Sequence, residues 1–148
     1  MAKRFEHLGK IYPGKVDANR RLLAIDVTFP RIICLCGSTK FVKEFHDANL
    51  ALTLAGYIVL TVGSFVHSDA ELKVTEEQKI ELDLLHKHKI ELADAVLVIN
   101  VDGYVGQSTK SEIDYSHKIG KPLAYLCGLT GKVPENIAQV VDKIFKEA

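Results

Sequence analysis

Residues 31 to 41 read RIICLCGSTKF, and the six that precede the glycine decide the fold. After Arg31 every residue of RIICLC (31–36) is apolar and several are β-branched, which is the pattern of a strand covered on both faces rather than one. Three more stretches of this kind follow: YIVLTV (57–62), AVLVIN (95–100) and PLAYL (122–126). Helical patterns lie between them. From Thr39 to Ala55, Phe41, Phe45, Ala48 and Leu52 recur at intervals of three and four, and Gly56 stops the run. At Thr75 the capping box TEEQ opens a helix that reaches about Leu92. STKSEIDYSHKI, ended by Gly120, forms a third, and PENIAQVVDKIFKEA, with Pro134 near its first turn, a fourth. Strands alternating with helices throughout a chain pair in parallel through right-handed crossovers. The expectation is therefore a three-layer, doubly wound α/β domain over residues 31–148, Rossmann- or flavodoxin-like, with a parallel sheet of four to five strands and helices on both faces.

The first 30 residues read differently. IDVTF (25–29) alternates as an edge strand would, and Pro30 separates it from the first core strand, so residues 1–30 form an extension. Its two readings are an added strand and an arm toward another subunit.

A chain of 148 residues can bury a core without disulfide or metal staples. Its 19 basic and 19 acidic side chains balance, which argues against a nucleic-acid polymer or an anionic membrane as partner. Cys34 and Cys36 stand two apart in a strand, which sends both side chains to one face. Together with Cys127 they read as buried thiols of a reducing compartment. The spacing shows neither a C-x-x-C pair nor a Cys/His cluster, so no metal is expected. MAKRFEHLGK lacks the apolar core of a signal peptide, and LTLAGYIVLTV is interrupted by Gly56 and two threonines; a soluble, cytoplasmic protein is expected.

In doubly wound sheets, ligands bind outside the carboxyl ends of the strands. The loops found there are CGSTK, GSFVHSD and NVDGYVGQST, each rich in glycine and hydroxyl residues. Gly37, Ser38 and Thr39 suit either the close approach of an anion to free amides or simple capping of the following helix. CGSTK is neither a Walker A loop nor a dinucleotide fingerprint. In VGQSTKSE, Gly106, Ser108 and Thr109 precede Glu112. T-x-x-E is a capping-box pattern, and local pattern alone favours that reading. The alternative is a carboxylate in the first helical turn, held ionised by the helix dipole and competent to attack an anomeric carbon. Two such loops facing each other across one crevice tip the balance toward chemistry. On the second helix, Asp83 and His86 share a face, whereas His86 and His88 lie roughly 200° apart and cannot both reach one site. His88 falls beside the stripe of Ile80, Leu84 and Leu92. Tyr104 and Phe65, in neighbouring loops, could stack on a flat ring or cover the core.

CGSTKF, KIELADAVLVIN and DGYVGQSTKSEIDYSHKIGKPLAYL resemble the nucleoside 2-deoxyribosyltransferase family, including its 2'-deoxynucleoside 5'-phosphate N-hydrolase branch, over about residues 31 to 126. The resemblance implies that Glu112 is the catalytic glutamate, forming a glycosyl-enzyme ester resolved by a second base or by water. It implies substrate contacts from Gly37, Ser38, Lys40, Gly106, Ser108 and Thr109, with Lys40 standing where the hydrolase branch has arginine. His86 replaces an aspartate that assists the departing base, and Asp83 lies one turn earlier. The implied substrate is a nucleoside or nucleotide, with no cofactor, and the implied assembly is a homo-oligomer. Two other readings are a non-catalytic nucleotide-binding module and a phosphoribohydrolase, although the P-G-G-x-G-T-x-x-E signature of the latter is absent.

Overall fold

A computed structural model of the chain describes residues 29–63 and 73–146, and Arg31–Ala148 forms one compact unit. Residues 25–28 of IDVTF, and Phe65 with most of its loop, lie outside the described residues.

Four strands make one parallel sheet: β1 (Ile32–Gly37), β2 (Ile58–Leu60), β3 (Ala95–Ile99) and β4 (Leu123–Tyr125), in the order β2-β1-β3-β4. β1 pairs with β3 from Ile33↔Ala95 to Gly37↔Ile99 and with β2 on its other side. The two outer strands are shorter than YIVLTV and PLAYL suggest. At the end of β2 the carbonyl of Thr61 accepts from the Lys89 ammonium at 2.8 Å, and the ladder to β1 has already stopped at Leu60.

The helices are α1 (Val42–Leu54), α2 (Glu76–Leu92), α3 (Gln107–Lys118) and α4 (Ile137–Lys146). α1 packs with α4, and α2 with α3, one pair on each face of the sheet. Helix α2 starts where its sequence dictates: Thr75 accepts from the amide of Gln78 at 3.1 Å, and the Gln78 side chain accepts from the Thr75 amide at 2.9 Å. The start of α1 corrects the sequence reading. Residues 38–40 form a turn closed by the Phe41 amide on the Ser38 carbonyl at 3.0 Å, so the helix begins at Val42 and neither Ser38 nor Thr39 caps it. Similarly, α4 begins after Asn136, whose side chain accepts from the Gln139 amide at 3.2 Å, and Pro134 precedes the helix. The stripe of Ile80, Leu84 and Leu92 is also corrected, because all three are exposed and α2 turns His86 and Ile90 inward instead. His88 lies outside with them, 3.4 Å from the Glu91 carboxylate.

The two faces of the sheet differ in chemistry. Ile33, Leu35, Ala95, Leu97 and Ile99 meet Phe45, Ala48 and Leu52 of α1 and Ile137 and Val141 of α4 in an all-apolar core. The alternate residues Cys34, Cys36, Val96 and Val98 point the other way, toward α2 and α3, where His86, Glu112 and Ser116 are buried with Ile90. Burying one large apolar side chain contributes about 1.5–3 kcal/mol. Burying a polar or ionisable group costs free energy unless it is paired. The first face is wholly apolar, whereas the second buries Val96, Val98 and Ile90 together with ionisable groups that stability alone does not require.

Asn100 joins the ends of β3 and β4, donating to the Cys127 carbonyl at 3.0 Å and accepting from the Cys127 amide at 2.8 Å. At the end of β1, a Cβ on Gly37 would stand 2.9 Å from both the Cβ and the carbonyl oxygen of Ile99. That residue must be glycine because β3 is so close, whatever the loop binds. Gly37→Ala should lower stability by about 1–3 kcal/mol in chemical denaturation. An unchanged midpoint would show that β1 and β3 can separate at no cost.

Candidate active site

Strand order reverses between β1 and β3, since the chain leaves β1 toward β2 and crosses back to β3 on the opposite side. The loops after these two strands therefore part and leave a crevice. A cleft of about 230 Å³ opens there. Gly37, Ser38 and Thr39 line one side, and Gly106, Ser108, Thr109 and Glu112 line another. Asp83 and His86 come in from α2. The loops after the first and third strands thus share one hollow, as expected. Val62 and Gly63, from the loop after β2, also border it.

Lys40 and Tyr104 are not part of that lining. The Lys40 ammonium sits 3.2 Å from the centroid of the Tyr104 ring, which itself meets Phe41 edge-on at 5.9 Å. Their charge and ring face are spent on each other. Lys79, Lys89, Leu82 and Leu85 do line the cleft and were not singled out from sequence. Helical spacing could have pointed to three of them, since Lys79 lies four before Asp83, Leu82 four before His86 and Lys89 three after it, whereas Leu85 has no such relation to either.

Glu112 lies in the second turn of α3, not the first, and the helix is capped by the backbone of Gly106 without any side-chain bond. The T-x-x-E pattern therefore forms no capping box: Thr109 sits inside the helix and does not precede it. Glu112 is only 8% exposed, and its Oε2 is buried without a hydrogen-bond partner. Helix-dipole stabilisation does not dominate at this depth. Burial pushes the carboxyl up to about 7, with the charge of His86 and the Cys36 thiol pulling partly against it. Ser116 returns its hydroxyl to the Glu112 carbonyl at 2.7 Å, holding that turn of the helix. Across the cleft Thr39 Oγ1 is also buried without a partner.

His86 Nε2 is 3.9 Å from Glu112 Oε2 and 3.3 Å from the Cys36 sulfur, with Cys34 at 3.8 Å. Burial works against a charged ring, but the Cys34 and Glu112 side chains outweigh it and raise the His86 pKa above its ordinary value. Cys36 beside it, against the opposing effect of burial, brings the Cys34 thiol down to about 6, and the same partnership pushes Cys36 well above the usual thiol range. The two thiols thus give up their protons one at a time. The sequence placed Cys34 and Cys36 on one face but left open what that face meets. The structure brings both against His86, whose helix lies some 50 residues further along the chain.

Fold and cleft together define a parallel α/β protein with an open cleft at its switch point, where polar groups converge on a partly apolar wall. Its fold is shared by the 2-deoxyribosyltransferase of the psychrotolerant bacterium Bacillus psychrosaccharolyticus. The match covers 64% of this chain and 70% of that one, with a TM-score of 0.51 and 21% sequence identity. No family model and no curated protein matches the sequence. Among the described residues, no helix is long and apolar enough to cross a membrane.

Proposed function

We propose that the protein cleaves or transfers the N-glycosidic bond of a 2'-deoxynucleoside or its 5'-monophosphate, with Glu112 as the nucleophile. The observation that carries this reading is the buried Glu112 side chain, its Oε2 without a hydrogen bond, in the lining of a cleft bordered by the hydroxyl-bearing turn at Ser38 and Thr39. A buried carboxylate whose Oε2 makes no hydrogen bond, with only the His86 ring and the Cys36 thiol beside it to offset burial, is poorly stabilised as an anion and so is a strong nucleophile once ionised. Attack on the anomeric carbon forms a carbon–oxygen bond to Glu112 as the bond to the base breaks, through an oxocarbenium-like transition state. Water, or a second base, then displaces Glu112 from the sugar. The name of the transferase that shares the fold points to the same chemistry, as does the resemblance of the loops.

The departing base needs a proton. His86 carries one more readily than an ordinary histidine and lines the cleft, with Asp83 one turn away on the same wall. His86→Asn should slow base release by about 10²-fold or more, mainly for bases that leave poorly without protonation. A normal rate in that variant would transfer the role to Asp83 or to water.

Incubation with each 2'-deoxynucleoside and its monophosphate, with and without a second free base, tests the reading by chromatography. Released base without acceptor marks a hydrolase, and exchanged base a transferase. Ligand-induced stabilisation without either product would instead mark a nucleotide-binding module. Turnover of ribonucleoside monophosphates alone would favour a phosphoribohydrolase.

A further inference from the structure

We propose that Cys34, Cys36, His86 and Glu112 form a binding site for a thiophilic divalent cation of the zinc type, and that occupancy of this site withdraws Glu112 from the cleft chemistry. The withdrawal rests on the reading of Glu112 as nucleophile; the binding does not.

The donor atoms of Cys34, Cys36 and His86 all lie within 4.8 Å of one another, and all three residues are buried. Tetrahedral zinc, with Zn–S of about 2.3 Å and Zn–N of about 2.0–2.1 Å, places sulfur and nitrogen ligands roughly 3.5 Å apart. The observed sulfur-to-Nε2 separations are 3.3 and 3.8 Å. Glu112 lies outside that three-donor cluster, but its Oε2 is 3.9 Å from the same Nε2 and has no hydrogen-bond partner, so a side-chain rotation would bring it to the fourth position. Two sulfurs, one imidazole and one carboxylate make a donor set that zinc accepts and that magnesium or calcium, which require oxygens, do not.

The elements hold these donors for different reasons. Strand geometry puts the two cysteines on one face of β1, the inward side of α2 supplies His86, and the second turn of α3 supplies Glu112. His86 and Glu112 line the cleft whereas the cysteines lie behind them, so the cleft is the access route to the sulfurs. Binding forms two metal–sulfur bonds, one metal–nitrogen bond and one metal–oxygen bond as water ligands leave the cation, and the protons held by the thiols, by His86 Nε2 and by the Glu112 carboxyl pass to solvent. With Glu112 Oε2 on the metal, its lone pair is no longer available to a sugar carbon.

The test is titration of the chelator-treated full chain with cobalt(II) chloride, followed by absorption spectroscopy. One equivalent should produce thiolate-to-cobalt charge-transfer absorption in the near ultraviolet and the intense visible bands of tetrahedral cobalt, and zinc chloride should displace it. Cys34→Ala and Cys36→Ala, checked for folding by circular dichroism, should each diminish the charge-transfer band. Glu112→Gln should keep the band but bind at least about 10-fold more weakly. Absence of charge-transfer absorption in the wild-type protein overturns the proposal, with or without the variants. Undiminished bands in both cysteine variants, if folded, do the same. Cobalt bands, together with no base release from any nucleoside by the chelator-treated, metal-free protein, would leave the metal site standing and remove the glycosyl reading. Base release without the bands would do the reverse.

Discussion

Glu112→Gln is expected to lower base release by on the order of 10³-fold or more, while a substrate that binds the wild-type cleft still raises the melting temperature of the variant. The side chains have nearly the same shape, so the cleft between Thr39, Asp83 and Ser108 keeps its dimensions. What is lost is the negative oxygen that makes the first bond. A capping role would give a different result, because removing a cap costs about 1 kcal/mol of stability and leaves chemistry intact. Retention of more than a tenth of the wild-type rate would mean that Glu112 makes no bond to the sugar.

The effect of the same substitution on stability should grow with pH. Burial raises the Glu112 carboxyl from 4.5 to about 7 in the folded chain. Below about pH 4.5 the group is neutral folded and unfolded, so it contributes nothing relative to glutamine. Between 4.5 and 7 the unfolded chain ionises first, and the folded state loses ground; above 7 the full penalty is present, about 3 kcal/mol. Glu112→Gln should therefore gain stability relative to wild type by up to that amount between pH 4.5 and pH 8. The groups facing the carboxyl are Cys34 and Cys36 from β1, with Asp83 and His86 from α2, and Lys89 acts on His86 in turn. Because His86 and the thiols remain in both proteins, the difference between the two isolates Glu112 to first order. Base release in the wild type should rise with pH through about 7 as the nucleophile ionises. Stability differences equal at both pH values would show a carboxyl that titrates as if in water.

How much of this could be read from the chain depends on which interactions set each feature. The strand cores of β1 and β3 were legible because both are buried on two faces and so are apolar at every position. The capping box at Thr75 was legible because it is a local exchange of two hydrogen bonds. The similar pattern at Thr109 misled for the same reason: four residues cannot say whether a threonine precedes a helix or sits inside it. The start of α3 was set instead by the backbone of Gly106. The ionisation of Glu112 could not be read either, since it follows from packing against β1 and α2, residues distant in sequence. The cysteine–histidine contact is of this kind too. Strand alternation placed the two sulfurs on one face, but only the seating of α2 on the sheet brings His86 to them. Lys40 and Tyr104 stand in the loops that border the cleft but outside its lining, with the ammonium over the ring.

The account stands most directly on a covalent bond between Glu112 and the sugar. The measurement is mass spectrometry of the intact chain and its proteolytic peptides after rapid acid quenching, using a deoxynucleoside that the substrate panel shows to be turned over. A 2-fluoro sugar analogue, which slows breakdown of the ester, extends the lifetime of the species. The expected result is one added deoxyribosyl mass per chain, located on the peptide that holds Glu112 and absent in Glu112→Gln. Full base release with no added mass on that peptide, or the same adduct in the glutamine variant, would contradict it.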